Sequence, residues 1–172
     1  RFGLRGRTCP SADAPRTLVM VHGTSRADKL WPESSWTAVG RRAVASGWHV
    51  ALPHSGTMER ARADRIAHGI GSGADVWPEL ALDAVIDRMA LTQGVIGVDS
   101  GLSHIAVALG LPHVQVYTLP TAWRTGPQPT PGRTLQVAVE VAPGEAGVAA
   151  VWDAWGTVSS ASARPGKADR LP

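Results

Sequence analysis

Cysteine is almost absent. Cys9 stands alone among 172 residues, which excludes an internal disulfide framework and any zinc site built from several thiolates, and fits a reducing compartment. Long apolar runs are missing too. No uncharged stretch approaches the roughly 18 residues of a spanning helix, and the start, with Arg1, Arg5 and Arg7 ahead of Pro10, lacks the apolar centre of a signal peptide. The six histidines, at 22, 49, 54, 68, 104 and 113, form no His-x-x-x-His pair and no glutamate-paired spacing, so no metal is expected. What is present is an apolar fraction of 44% in a chain of single-domain length, enough for one core. The expectation is a soluble, intracellular domain.

The formal charge of +3 raises the question of nucleic acid, and its location answers it. Residues 1–16 carry +3 and residues 157–172 carry +2, which leaves the segment between them at −2. A nucleic-acid binder needs its basic residues on one face of the fold. Here they fall on two stretches mixing Arg, Pro, Ser and Gly, read as a linker (1–16) and an unstructured tail (157–172). The seven tryptophans suggest base stacking, yet most occupy positions expected to face a core, and only Trp31 and Trp123 lie in loops of functional character. No nucleic-acid partner is expected.

Between the tails, short apolar runs alternate with longer amphipathic ones. Leu18 to His22, His49 to Leu52, Val95 to Val98 and Val114 to Tyr117 have strand length and end in Gly, Pro or polar turns, which predicts four buried parallel strands. Trp36, Val39, Ala43 and Val44 repeat at helical spacing ahead of Gly47 and predict a first helix. Further helices are predicted over Glu59 to Ala67, Leu82 to Ala90, Ser103 to Leu109 and Glu145 to Trp155. This alternation implies an α/β fold over residues 17–156: a Rossmann-like parallel sheet with helices on both faces.

In such a sheet, ligands collect at the carboxyl ends of the strands, where helix N-termini present free N–H groups. Two loops stand there. In the first, residues 22–36, Gly23, Thr24 and Ser25 make a small turn with two hydroxyls, and Lys29 adds a cation able to neutralise a phosphate. The plainer reading is a polar loop whose Ser34 or Ser35 caps the next helix; the common Gly-x-x-x-x-Gly-Lys-Ser/Thr phosphate loop is not present. In the second, residues 98–110, Asp99 ends a strand, Ser100 and Gly101 turn, and a helix opens at Leu102 or Ser103 with its amides unsatisfied. An anion is favoured by those amides and not by Asp99, so Asp99 either serves another group, such as a sugar hydroxyl, or caps the helix. His104 taken alone reads as a core histidine bonded to a backbone carbonyl.

Together these loops, with residues 52–67 and 75–90 between them, resemble glycosyltransferase family 9 over roughly residues 16–130. The most specific elements are TSRADKLWPE (24–33) and DSGLSH (99–104). The resemblance implies one half of a two-domain GT-B enzyme: the C-terminal, nucleotide-sugar-binding domain, with residues 1–16 as the remnant of the interdomain linker. It implies ADP-heptose as donor, Kdo-lipid A as acceptor, transfer with inversion and no cofactor. By the same resemblance Thr24, Ser25 and Lys29 contact the diphosphate, completed by the amides of Gly101 and Leu102, and Lys29 stabilises the leaving group. Glu59 accepts from the adenosine ribose, Leu80 lies near the adenine, and Asp99 and His104 lie near the heptose and its phosphate. Ser100 stands where the family usually has threonine and keeps the hydroxyl. The catalytic base and most of the acceptor pocket belong to an N-terminal domain that this sequence lacks, so the chain alone is expected to bind donor without turnover. Peripheral contact with the cytoplasmic face of the inner membrane is implied in the same way.

Two readings from other classes compete. LVMVHGTS (18–25) and GVDSG (97–101) mimic the oxyanion turn and nucleophile elbow of an α/β-hydrolase with Asp99 as nucleophile. That enzyme needs an acid and then a histidine further along the chain, and after His104 only His113 remains, in the next strand. The other is a non-catalytic nucleotide-binding module built on the same pocket.

Overall fold

The computed structural model describes residues 15–127, 135–142 and 144–162. Six parallel strands, β1 (Thr17–Val21), β2 (His49–Leu52), β3 (Ala74–Val76), β4 (Gly94–Val98), β5 (His113–Tyr117) and β6 (Gln136–Glu140), form one sheet in the order β3-β2-β1-β4-β5-β6. The helices are α1 (Glu33–Ala45), α2 (Gly56–Ile70), α3 (Leu82–Ala90), α4 (Gly101–Ala108), the one-turn α5 (Ala122–Thr125) and α6 (Glu145–Ser162). The predicted α/β architecture is the observed one, with two strands more than the four expected. β3 and β6 escape the sequence reading because neither is fully buried. A half-buried edge strand needs no continuous apolar run to mark it.

Strand alternation sorts the core into two layers. Leu18 and Met20 of β1 point with Val50, Ile96 and Val114 toward α1, α2 and α6, while Val19, Val21, Ala51 and Val95 point toward α3 and α4. Complete burial of aliphatic side chains of this size stabilises the fold by roughly 1.5–3 kcal/mol each. Helices α1 and α4 stop as predicted, at glycines with positive φ, Gly47 (83°) and Gly110 (70°). Around Gly47 the amides of Gly47 and Trp48 bond the carbonyls of Val44 and Ala43, the Schellman arrangement that satisfies the last carbonyls.

The last helix runs past the expected end at Trp155 to Ser162, so Thr157–Ser162, read from sequence as unstructured, are helical. Buried Val158 extends its apolar face onto the core. Arg16, read as linker, stacks its guanidinium 4.0 Å from the Trp48 ring centre. Residues 1–14 of the expected linker and 163–172 of the expected tail lie outside the described residues. Among the described residues no helix is long and apolar enough to cross a membrane.

Candidate functional site

In this sheet the chain leaves β1 toward β2 on one side and re-enters at β4 on the other, so the carboxyl ends of β1 and β4 flank the point where the strand order reverses. Connections diverge there and leave a crevice. A cavity of about 460 Å³ opens at this point, within the usual size of small-molecule sites.

The loop after β1 is held from below and from the side. Ala27–Lys29 form a 3-10 turn. Trp31 is fully buried and meets the Trp36 ring edge-on, with centres 5.2 Å apart. Trp31 lies in this loop as expected and anchors it to the core, while Trp123 is exposed on α5. Thr118 Oγ1 donates to the Asp28 carbonyl at 3.0 Å, and Arg62 of α2 donates to the Trp31 carbonyl at 2.5 Å. Neither Ser34 nor Ser35 caps α1; the N-cap is Pro32.

The turn after β4 joins this loop directly. Thr24 Oγ1 donates to the Asp99 carbonyl at 3.1 Å, and Lys29 Nζ lies 2.6 Å from Asp99 Oδ2. Asp99 is buried and Lys29 is one-quarter exposed. Asp99 does not cap α4: that helix begins at Gly101 behind an extended Ser100, with no side-chain cap on its first amides among the described residues. Those amides stay available to an anion. The Ser100 hydroxyl is buried at the cavity wall without a hydrogen-bond partner among the described residues.

Nine of the ten substrate-binding residues expected from sequence line this one cavity: Thr24, Ser25, Lys29, Glu59, Leu80, Asp99, Ser100, Gly101 and Leu102. His104 does not. It is half-exposed on α4 with Nε2 3.6 Å from Asp99 Oδ1, an exposed neighbour of the site and not the core histidine of the plainer reading. Glu59 reaches over Gly23, where a Cβ would collide with its carboxylate, and accepts from the Ser55 amide at 2.8 Å.

The sequence reading missed Pro53, His54 and Ser55, which form the wall after β2. They follow a predicted strand end, so the rule that selected the other two loops also points to them. The His54 ring nitrogens are buried and unpartnered among the described residues. Behind it His22, which follows β1, is fully buried. Burial, with the nearby Arg62 charge second, lowers its pKa to about 4, and the Pro53 carbonyl opposes that shift without closing a hydrogen bond of good geometry.

Chemically, the site offers a cation, hydroxyls and free amides for phosphate oxygens, a carboxylate placed for a diol, and apolar Leu80, Leu82 and Val85 for a flat ring. An Asp99 carboxylate already bound to a lysine is a poor nucleophile, which counts against the hydrolase reading.

Comparison with known proteins decides the family. The model of glycosyltransferase family 9 (heptosyltransferase) matches residues 3–142. The chain belongs to glycosyltransferase family 9. Two curated relatives are lipopolysaccharide heptosyltransferase 1 of Pseudomonas aeruginosa, 38% identical over 118 residues (67% of this chain, 33% of the relative), and that of Escherichia coli K12, 37% identical over 105 residues (61% and 33%). The chain thus spans about a third of the length of these family 9 relatives. Among solved structures, E. coli heptosyltransferase WaaC with ADP superposes with a TM-score of 0.69 at 29% identity, covering 86% of this chain and 46% of that one. WaaC with ADP-2-deoxy-2-fluoro heptose gives 0.63 at 32% identity, covering 88% and 44%.

Proposed function

We propose that this chain is the donor-binding domain of a two-domain heptosyltransferase, residues 17–156 with the α6 extension, and that it holds ADP-heptose for transfer to a Kdo-lipid A acceptor with inversion. The observation that carries this reading is the juxtaposition of Lys29, the open amides of α4 and Glu59 around one cavity, in a chain similar to proteins solved with ADP and with a fluorinated ADP-heptose.

In this reading the diphosphate lies over the Gly101 and Leu102 amides, with Thr24, Ser25 and Ser100 supplying hydroxyls and Lys29 the charge. Glu59 takes the ribose hydroxyls, Leu80 packs on the adenine, and Asp99 with His104 faces the heptose. As the bond from the anomeric carbon to the phosphate oxygen breaks, its electron pair leaves with ADP. The departing group gains negative charge. Fixed amide dipoles and an ammonium group stabilise that charge more in the transition state than in the bound donor, which is what lowers the barrier.

The acceptor hydroxyl attacks from the face opposite the departing ADP and must lose a proton. We place the base that takes it, with the acceptor pocket, in the remaining part of the full-length protein, joined through the segment 1–16. Contact of that protein with the cytoplasmic face of the inner membrane belongs to the same proposal.

Joining the chain to the N-terminal domain of a family 9 relative and supplying ADP-heptose with Kdo-lipid A tests this. Heptose transfer by the joined protein, absent with this chain alone, is expected. Donor binding without transfer in the joined protein favours the non-catalytic module.

A further inference from the structure

Gln115 sits in the middle of β5 between Val114 and Val116, and its side chain is fully buried. A glutamine at the centre of a parallel strand gives up water at both its amide nitrogen and its oxygen. Only the nitrogen recovers a partner: Nε2 lies 3.3 Å from Asp99 Oδ1. The oxygen has none among the described residues. A carboxylate only accepts, so the NH₂ group must face Asp99. In sheet register Gln115 lies beside Gly97, whose missing side chain leaves Ser103 of α4 close to the sheet.

Asp99 is therefore divided between two donors. Oδ1 takes Gln115 and Oδ2 takes Lys29, with the exposed His104 ring further off. The inference rests on the donor reading given above, in which Lys29 serves the diphosphate. To do so, Lys29 must leave Asp99. An aspartate with no other donor turns both oxygens to the ammonium and holds it harder, whereas one already bonded at Oδ1 offers a single oxygen and less charge.

We propose that Gln115 is a positioning residue that acts through Asp99: it occupies one carboxylate oxygen so that Lys29 is presented at the cavity wall and released to a diphosphate. It touches no substrate. Its effect falls on diphosphate affinity and spares the nucleoside.

The test is titration of the 172-residue chain with ADP and with adenosine, using Gln115→Met, which keeps the shape and removes the donor. ADP affinity falls roughly three- to tenfold, the range of one net hydrogen bond, and adenosine affinity is unchanged. In an Asp99→Asn background the same replacement has no effect on ADP. Equal losses for ADP and adenosine, or an ADP loss that persists with Asp99→Asn, overturn the proposal and leave Gln115 a packing residue. If the unaltered chain binds neither ligand, the donor reading fails separately. The Gln115 contact is then read in the free chain by NMR, as slow exchange of its side-chain amide protons that Asp99→Ala accelerates. Fast exchange in the unaltered chain overturns it.

Discussion

Lys29 and Asp99 are 70 residues apart in the chain and meet across the switch point of the sheet, Nζ to Oδ2 at 2.6 Å. Among the described residues that line the cavity, one ammonium therefore stands against two carboxylates, Asp99 and Glu59. A polyanionic ligand is not drawn in by an unpaired cation. It must take Lys29 from Asp99 and rely on the α4 amides for the rest.

That competition sets opposite signs for two substitutions. Lys29→Ala lowers ADP affinity roughly 10- to 100-fold, the loss of one charge-assisted contact. Asp99→Asn frees Lys29 and tightens ADP, while lowering the additional affinity that the heptose contributes in ADP-heptose. Calorimetric titration of both variants with both ligands reads this; weakening of ADP by Asp99→Asn contradicts it.

Glu59 lies over Gly23, where a Cβ would strike its carboxylate. The atoms struck are the end of a flexible side chain, so Gly23→Ala displaces Glu59 at a stability cost below about 1 kcal/mol, less than overpacking a core normally exacts. Affinity for ADP falls as far as it does in Glu59→Gln. Unfolding by urea and ADP titration separate the two effects. Large destabilisation with unchanged affinity refutes the arrangement.

Acid lowers stability through two buried histidines. Burial first, then the Arg62 charge, lowers the His22 pKa to about 4; burial first, then the His104 charge, lowers that of His113 to about 3. Below pH ~6.5 the unfolded chain protonates both while the folded chain does not. Stability is thus fully present above that pH and falls toward pH 4, by up to ~1.4 kcal/mol per pH unit per histidine. Glu33, held below the usual carboxylate range chiefly by its hydrogen bond from Arg65, adds a loss in the same direction at lower pH. The urea midpoint drops between pH 7 and pH 5, and less so in His22→Leu. An equal midpoint at both pH values disproves the assignment.

Trp31 secures the loop that carries Lys29. Trp31→Ala costs about 3–5 kcal/mol, a large share of the ~5–15 kcal/mol of a typical domain, and ADP affinity falls with it. A urea midpoint shift equivalent to less than 1 kcal/mol, on the order of an exposed substitution, contradicts this anchoring.

Much of the fold was legible because parallel strands buried on both faces read as plain apolar runs, as in LVMV of β1 and VIGV of β4. β3 was not: its three residues include exposed Asp75. The cavity residues of the loops after β1 and β4 were legible because they follow strand ends, whereas Glu59 and Leu80 were reached only through the family resemblance; His54 was passed over although it follows β2. What spacing could not reveal was pairing. The sequence separates a lysine from an aspartate and leaves each with its own role, whereas the fold makes them partners. Gln115 was invisible for a related reason: a glutamine inside a strand signals nothing until the strand beside it is known.

The most direct test is a calorimetric titration of the chain with ADP, AMP and UDP. ADP binds at this cavity, with AMP and UDP each at least about tenfold weaker, one lacking the second phosphate and the other the purine. No heat with ADP at millimolar concentration, or AMP binding as tightly as ADP, contradicts a diphosphate site between the tips of β1 and β4.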